Sequence, residues 1–527
     1  MEELSEFLKE QNEEVKKLAN GAAISYWIAS ISGKKEDYET YEKNAIAMQR
    51  YFNNKETFEK VKHFLKTTED LIEKRQLENL YKEYLSCQGD LNLIERITKK
   101  STQIEQIFNT FRADLDGKEL TDNDIKEILK KETDSEKREK VWNSSKKQGE
   151  VVEKELIELV ELRNELARSL GFKNYFIMSL ELSEQKEEEV EKIFLELEKS
   201  TEKSFKEAKS EIDESLSKSF GLNKNDLRPW HYHDLFFQET PEIYGTNLNN
   251  FYNKDVLEIS KKFYTEIGLD VGDILDKSDL YEKPGKNQHA YCINIDREGD
   301  VRILENLKNN ESWMETTLHE LGHAVYDKNC DENLPFLLRE NTHIFVTESI
   351  ALFFGRNSKN IAFMKRYCEI SDEESKKISE MLRRQLRLDE LVFLKWAQVM
   401  FYFERELYKN PRQDLNKIWW DFVKRYQMID FYRDKPDWAS KIHFTIAPVY
   451  YHNYLLGKIL ASQLGHYIIK NILKEDTKNP DYAEKRVGHY LKEKIFMPGK
   501  KYRWDKLIEN ATKEELSPKY FIEEFCN

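Results

Sequence analysis

Apolar residues recur at helical spacing among Glu and Lys over residues 1–20 and 41–85. The same period continues through 86–220, in runs such as Glu150–Leu170 and Glu184–Ser219. Stripes of this kind predict long helices with one buried face and solvated charge on the other. Leu222–Pro229 breaks the pattern, and Trp230-His231-Tyr232-His233-Asp234 opens a region denser in aromatic residues and histidine. Pro284-Gly285-Lys286 predicts a turn. The β-branched and aromatic content of His289–Asp296, the turn residues Arg297-Glu298-Gly299 and the alternation of Asp300–Leu304 predict one β-hairpin. From Ser312 onward the pattern is helical again, with interruptions near 331–335, 410–413, 433–438 and 497–500. The fold class expected is mainly α, with one small β-sheet. No internal repeat or flexible connector is visible. The organisation expected is therefore one domain over 1–527, with a helical lobe at 1–225 and a second lobe at 226–527.

Composition sharpens this picture. The chain of 527 residues can bury a large core, yet it has only 18 Gly and 10 Pro. That scarcity tells against a β-sandwich, a Gly-rich nucleotide fold and a Pro-rich linker chain. With 84 basic and 98 acidic residues the net charge is −14, which tells against a general nucleic-acid binder. The first residues, Met1 to Lys9, have no basic and apolar segments of a signal peptide. No apolar run approaches the length of a membrane span, so no membrane partner is expected. Five scattered cysteines with no CxxC read as reduced thiols, and a cytoplasmic location is expected.

Ten of the 11 histidines follow residue 230, which places imidazole chemistry in the C-terminal part. His319-Glu320-Leu321-Gly322-His323 is an HExxH motif. On a helix, residues four apart lie about 40° from one another, so both imidazoles converge on one point. Glu320 is offset toward a metal-bound water. Ser312 to Glu315 has capping-box spacing, which would start the helix just upstream. Leu318, Leu321, Ala324 and Val325 make it a buried helix, on which two histidines and a glutamate are costly unless a metal satisfies them. A zinc site of this kind needs a third protein ligand. Glu348, within the apolar run Phe345 to Phe354, is the first choice. A core ion pair with Arg339 or Arg356 is its ordinary alternative, and His343 is the second-choice ligand.

With these residues the chain resembles the gluzincin zinc peptidases of the angiotensin-converting enzyme and thimet oligopeptidase superfamily, closer to the former branch. Three further segments carry the likeness: His289-Ala290, 30 residues before His319; Leu334 to Glu340 leading to Thr347-Glu348-Ser349; and Lys441-Ile442-His443 followed by Tyr450, Tyr451 and Tyr454. The resemblance implies a two-lobed helical fold with a deep cleft and Zn2+ on His319, His323 and Glu348. It implies that Glu320 is the base, that Tyr454 and His443 stabilise the oxyanion, that His289 and Ala290 line the peptide site, and that Lys441 and Tyr451 bind a C-terminal carboxylate. The chain departs from the converting-enzyme pattern in four places. One extra residue follows His443, Asn453 replaces a chloride-contacting arginine, Leu352 replaces an aspartate supporting the metal shell, and no glutamine falls in register near Trp230–Tyr232.

The function expected is zinc-dependent hydrolysis of short peptides, releasing C-terminal dipeptides. An oligoendopeptidase cutting internal bonds is the alternative within the same chemistry. A non-catalytic helical peptide-binding protein is the alternative outside it.

Overall fold

The computed structural model describes residues 2–245, 248–252 and 254–526, the side chain of residue 109 excepted. It is predominantly α-helical, as the periodicity predicts, with two two-stranded antiparallel sheets among the described residues. Strand β1 (Ala113–Leu115) pairs with β2 (Lys118–Leu120). The sequence reading runs helices through this region and misses the pair. Asp116 and Gly117 between the strands both have positive φ, at 53° and 85°, which is the Asp-Gly signature of a two-residue hairpin turn.

The expected hairpin is present. Strand β3 (Tyr291–Asn294) pairs with β4 (Val301–Leu304), Tyr291 opposite Leu304 and Asn294 opposite Val301. Its ladder is shorter than the sequence suggests. The Asp296 carboxylate accepts from the Glu298 and Asp300 backbone N–H groups at 2.8 and 2.9 Å, which draws these residues into the turn.

The chain divides into two compact units, interleaved along the sequence. The first comprises Met1–Gln88, Asn247–Ser379 and Leu456–Phe521; the second comprises Gly89–Thr246, Glu380–Leu455 and Ile522–Asn527. In the first, Leu4, Leu8 and Val15 of the Glu2–Ser32 helix share a core with Phe58, Leu77, Phe336 and Leu337. Trp27 of the same helix packs on Ile295 and Leu304 of the β3–β4 hairpin. The Asn12 side chain accepts from Leu337 N–H at 3.0 Å, and the Ser30 carbonyl accepts from Asn287 N–H at 2.8 Å. In the second unit, Trp142 of the Ser135–Ser169 helix, Trp396 of the Asp372–Lys409 helix and Trp438 are among the largest buried side chains. No described helix is long and apolar enough to cross a membrane.

Two helices of the first unit matter most for the site. Glu311–Lys328 carries HExxH. It is capped by Asn310, whose side chain accepts from Trp313 N–H at 2.9 Å. The cap therefore lies two residues before the expected Ser312, which falls inside the first turn. Asn is as good a cap as Ser, and its extended φ of −158° suits that position. Ile344–Gly355 carries Glu348 and is buried nearly all round. These helices touch at Gly322, where a Cβ would lie 2.9 Å from Ala351 Cα and 3.2 Å from the Phe354 ring. Gly322→Val should force the helices apart and cost about 1–3 kcal/mol. A lowered Tm by calorimetry would show it, and an unchanged Tm would contradict the contact.

Candidate metal centre and active site

Imidazole and carboxylate groups meet where the two helices cross. Ligand atoms of His319, His323 and Glu348 all lie within 4.8 Å of one another, and His319 Nε2 is 3.8 Å from Glu348 Oε2. The His319 and His323 rings are 4.9 Å apart and nearly perpendicular, as the four-residue spacing predicts. A tetrahedral ion bound at about 2.0–2.1 Å sets its ligand atoms about 3.3 Å apart, so a small closure of these side chains would seat one. Two of the other residues weighed for this place have partners of their own. Arg339 pairs with Glu298 at 2.9 Å. The His343 ring is the N-cap of the Glu348 helix and accepts from Phe345 N–H at 3.2 Å.

The electrostatics suit a cation. Burial lowers His319 to about 4 and His323 further below its ordinary value, so both imidazoles stay neutral with a lone pair to give. His323 Nδ1 is 2.7 Å from Thr347 Oγ1. That contact fixes the ring and supplies the supporting partner that Leu352, one turn beyond Glu348, does not. Burial, Glu305 and Glu348 raise Glu320 to about 8, while the Cys292 backbone N–H on β3 favours its charged form. A dication among the ligands would counter that rise. The hairpin thus contacts Glu320. His289 is exposed in the bend before β3, and Ala290, beside it, is half-buried.

In the second unit, Lys441 Nζ donates to Gln238 Oε1 at 2.6 Å. It lies 5.2 to 5.4 Å from the ring centres of Phe236, Trp396 and Tyr451. Burial lowers Lys441 to about 8, against the pull of Asp234. Asp234 shapes the loop that presents Gln238, accepting from the N–H groups of Phe236, Gln238 and Glu239. No glutamine falls near Trp230–Tyr232, but Gln238, a few residues downstream, meets Lys441. The cue was the Asp234 turn, which lets the chain double back.

Tyr451 Oη accepts from Trp396 Nε1 at 2.7 Å, and its ring is 5.1 Å from His443 and 5.4 Å from half-buried Tyr454. Burial, with help from Lys441, lowers His443 to about 3, which keeps its imidazole neutral. His443 Nδ1 is buried and has no hydrogen-bond partner among the described residues. His452 and Asn453 are buried against Gln185, at 2.8 and 2.9 Å. His231 is structural, bonded to Arg228 N–H and Ser135 at 2.8 Å each.

A mainly helical chain with this convergence of two imidazoles and a carboxylate, and a second carboxylate adjacent, has the character of a metallopeptidase. The model of peptidase family M3 matches residues 128–526, and the chain belongs to that family. The model described as angiotensin-converting enzyme matches residues 1–202. Carboxypeptidase 1 of Bacillus subtilis (strain 168) is 26% identical over 293 residues, 51% of this chain and 56% of the relative. Thermostable carboxypeptidase 1 of Pyrococcus furiosus is 24% identical over 236 residues, 39% of this chain and 45% of the relative. The chain thus matches about half the length of these curated relatives.

Thr347→Val removes the His323 partner while keeping its shape. It should weaken divalent-metal affinity about 10- to 100-fold, read by chelator competition. Unchanged affinity would show that Thr347 does not orient the ligand.

Proposed function

We propose that this chain is a zinc peptidase that removes C-terminal dipeptides from short peptides. The observation that carries the reading is the convergence of His319, His323 and Glu348 beside Glu320. Neutral imidazoles with one carboxylate form a donor set suited to zinc. Zinc held there would supply Lewis-acid polarisation and acidify a bound water toward about pH 7.

The residues divide the remaining work. Glu320 takes the proton from the attacking water and passes it to the leaving amine. Tyr454 and His443, a phenol and a neutral imidazole, donate to the developing oxyanion. His289 and Ala290, at the start of β3, bind substrate backbone. Lys441, Gln238 and Tyr451 bind the terminal carboxylate, for which a cation with two neutral polar partners is well matched. The names of both curated relatives, carboxypeptidases, agree with action at a C-terminus. Five unpaired thiols favour a cytoplasmic setting.

Glu320→Gln should lower kcat at least about 10²-fold, with zinc content unchanged. Full activity in that variant would overturn the mechanism. Lys441→Met should raise KM for a free-acid peptide about 10- to 100-fold and leave the amidated peptide unaffected. Equal cleavage of both forms by the wild type would instead favour an oligoendopeptidase.

The pH dependence follows from Lys441, which is charged below its pKa of about 8 and neutral above it. The preference for free-acid over amidated peptide, in kcat/KM, should therefore hold below pH 8 and decline above it. A preference constant to pH 10 would exclude Lys441 as the anchor.

A further inference from the structure

The segment between His443 and Tyr451 has an uncommon backbone. Val449 has φ 54°, and it is the one β-branched residue among ten described non-glycine residues with positive φ. A β-branched side chain in the left-handed region is a true outlier, and such strain persists only where the surroundings over-determine it.

Two buried ionisable side chains grip this segment, the Arg163 guanidinium and the Glu404 carboxyl, which burial raises to about 8. Glu404, on the Asp372–Lys409 helix and 3% exposed, accepts from Val449 N–H at 2.8 Å. Arg163, on the Ser135–Ser169 helix and 4% exposed, donates to the Phe444 and Thr445 carbonyls at 2.8 and 2.6 Å, and to Tyr408 Oη at 3.1 Å. The guanidinium holds the upstream end and the carboxyl holds the downstream end.

An apolar pair would fill this volume without burying charge, so stability alone is a poor reason for these residues. Apart from Tyr408 Oη, the partners named above are backbone groups of one short segment. Lys441 and His443 precede it, and Tyr451 and Tyr454 follow it. Trp396, which donates to Tyr451 Oη, sits on the same helix as Glu404, eight residues earlier.

We propose that Glu404 and Arg163 are positioning residues that hold Val449 in its left-handed conformation and so preset Tyr451 beside Lys441 for a peptide's terminal carboxylate. This rests on the reading of Lys441 and Tyr451 as a carboxylate site.

The test compares Glu404→Leu, which lacks an acceptor, with Glu404→Gln, which keeps one. The first readout needs no activity: the indole N–H resonance of Trp396, identified by its loss in Trp396→Phe. It should shift in Glu404→Leu and return to its wild-type position in Glu404→Gln. The second readout is KM for a free-acid peptide. It should rise about 10-fold or more in Glu404→Leu, with kcat within about 2-fold and the amidated peptide unaffected, and recover in Glu404→Gln. A folded Glu404→Leu with the wild-type resonance and KM overturns the proposal.

Should Glu404→Leu not fold, Arg163→Lys keeps the charge but loses the two-carbonyl grip. It should move both quantities in the same direction, and no change in either overturns the proposal. A Trp396 resonance shifted in Glu404→Leu, together with wild-type protein that cleaves no peptide, would support the positioning role and defeat the peptidase reading, which keeps the two failures distinct.

Discussion

Two half-buried imidazoles, the half-buried Glu348 and the buried Glu320 meet where a pair of helices pack at a glycine, and the rest of the first unit is arranged around that constraint. The helices can approach because residue 322 has no side chain to meet Ala351. Their approach brings ligand atoms of His319, His323 and Glu348 within 4.8 Å of one another. Groups so placed are expensive to bury without a partner, and a cation would meet that cost. Glycine recurs where the next helix comes in. At Gly457 of the His452–Tyr467 helix, a Cβ would lie 3.1 Å from Glu348 Cβ. Packing and chemistry are therefore joined at the backbone, since the spacing that seats the helices also sets the ligand geometry.

Around this centre the polar groups are placed in order of distance. Thr347 turns His323, and the β3 backbone favours the charged form of Glu320. Behind β3 and β4, Lys286 is wholly buried and donates to the Asp279, Tyr281 and Glu305 carbonyls. That anchors the hairpin's ends without bringing a positive side chain to the metal ligands. The N-terminal helix completes the support through Trp27 and Asn12. The long-range support explains how residues at opposite ends of the sequence share one compact unit.

Much of this was legible in the chain. Helical periodicity predicted the scaffold, HExxH predicted the two-imidazole convergence, and an acid in an apolar run marked Glu348. Local patterns carried those readings because each depends on neighbours within a turn or two. What was hidden depends on chain reversals and on partners far apart in sequence. The Asp116-Gly117 hairpin sits inside helical flanks that outweigh its signal. Gln238 meets Lys441 only because Asp234 gathers three backbone N–H groups and folds its loop back. The interleaving of the two units follows from packing of the N-terminal helix on segments near residues 290–340, which no local pattern announces.

The proposed chemistry depends on a metal held by His319, His323 and Glu348. The most direct measurement is the metal content of the purified protein by mass spectrometry, for the wild type and for His323→Ala. The account predicts one zinc per chain in the wild type and a near-complete loss in the variant, with helical content unchanged. Wild-type protein that carries no metal and acquires none from added zinc would contradict it, as would a variant that retains its zinc.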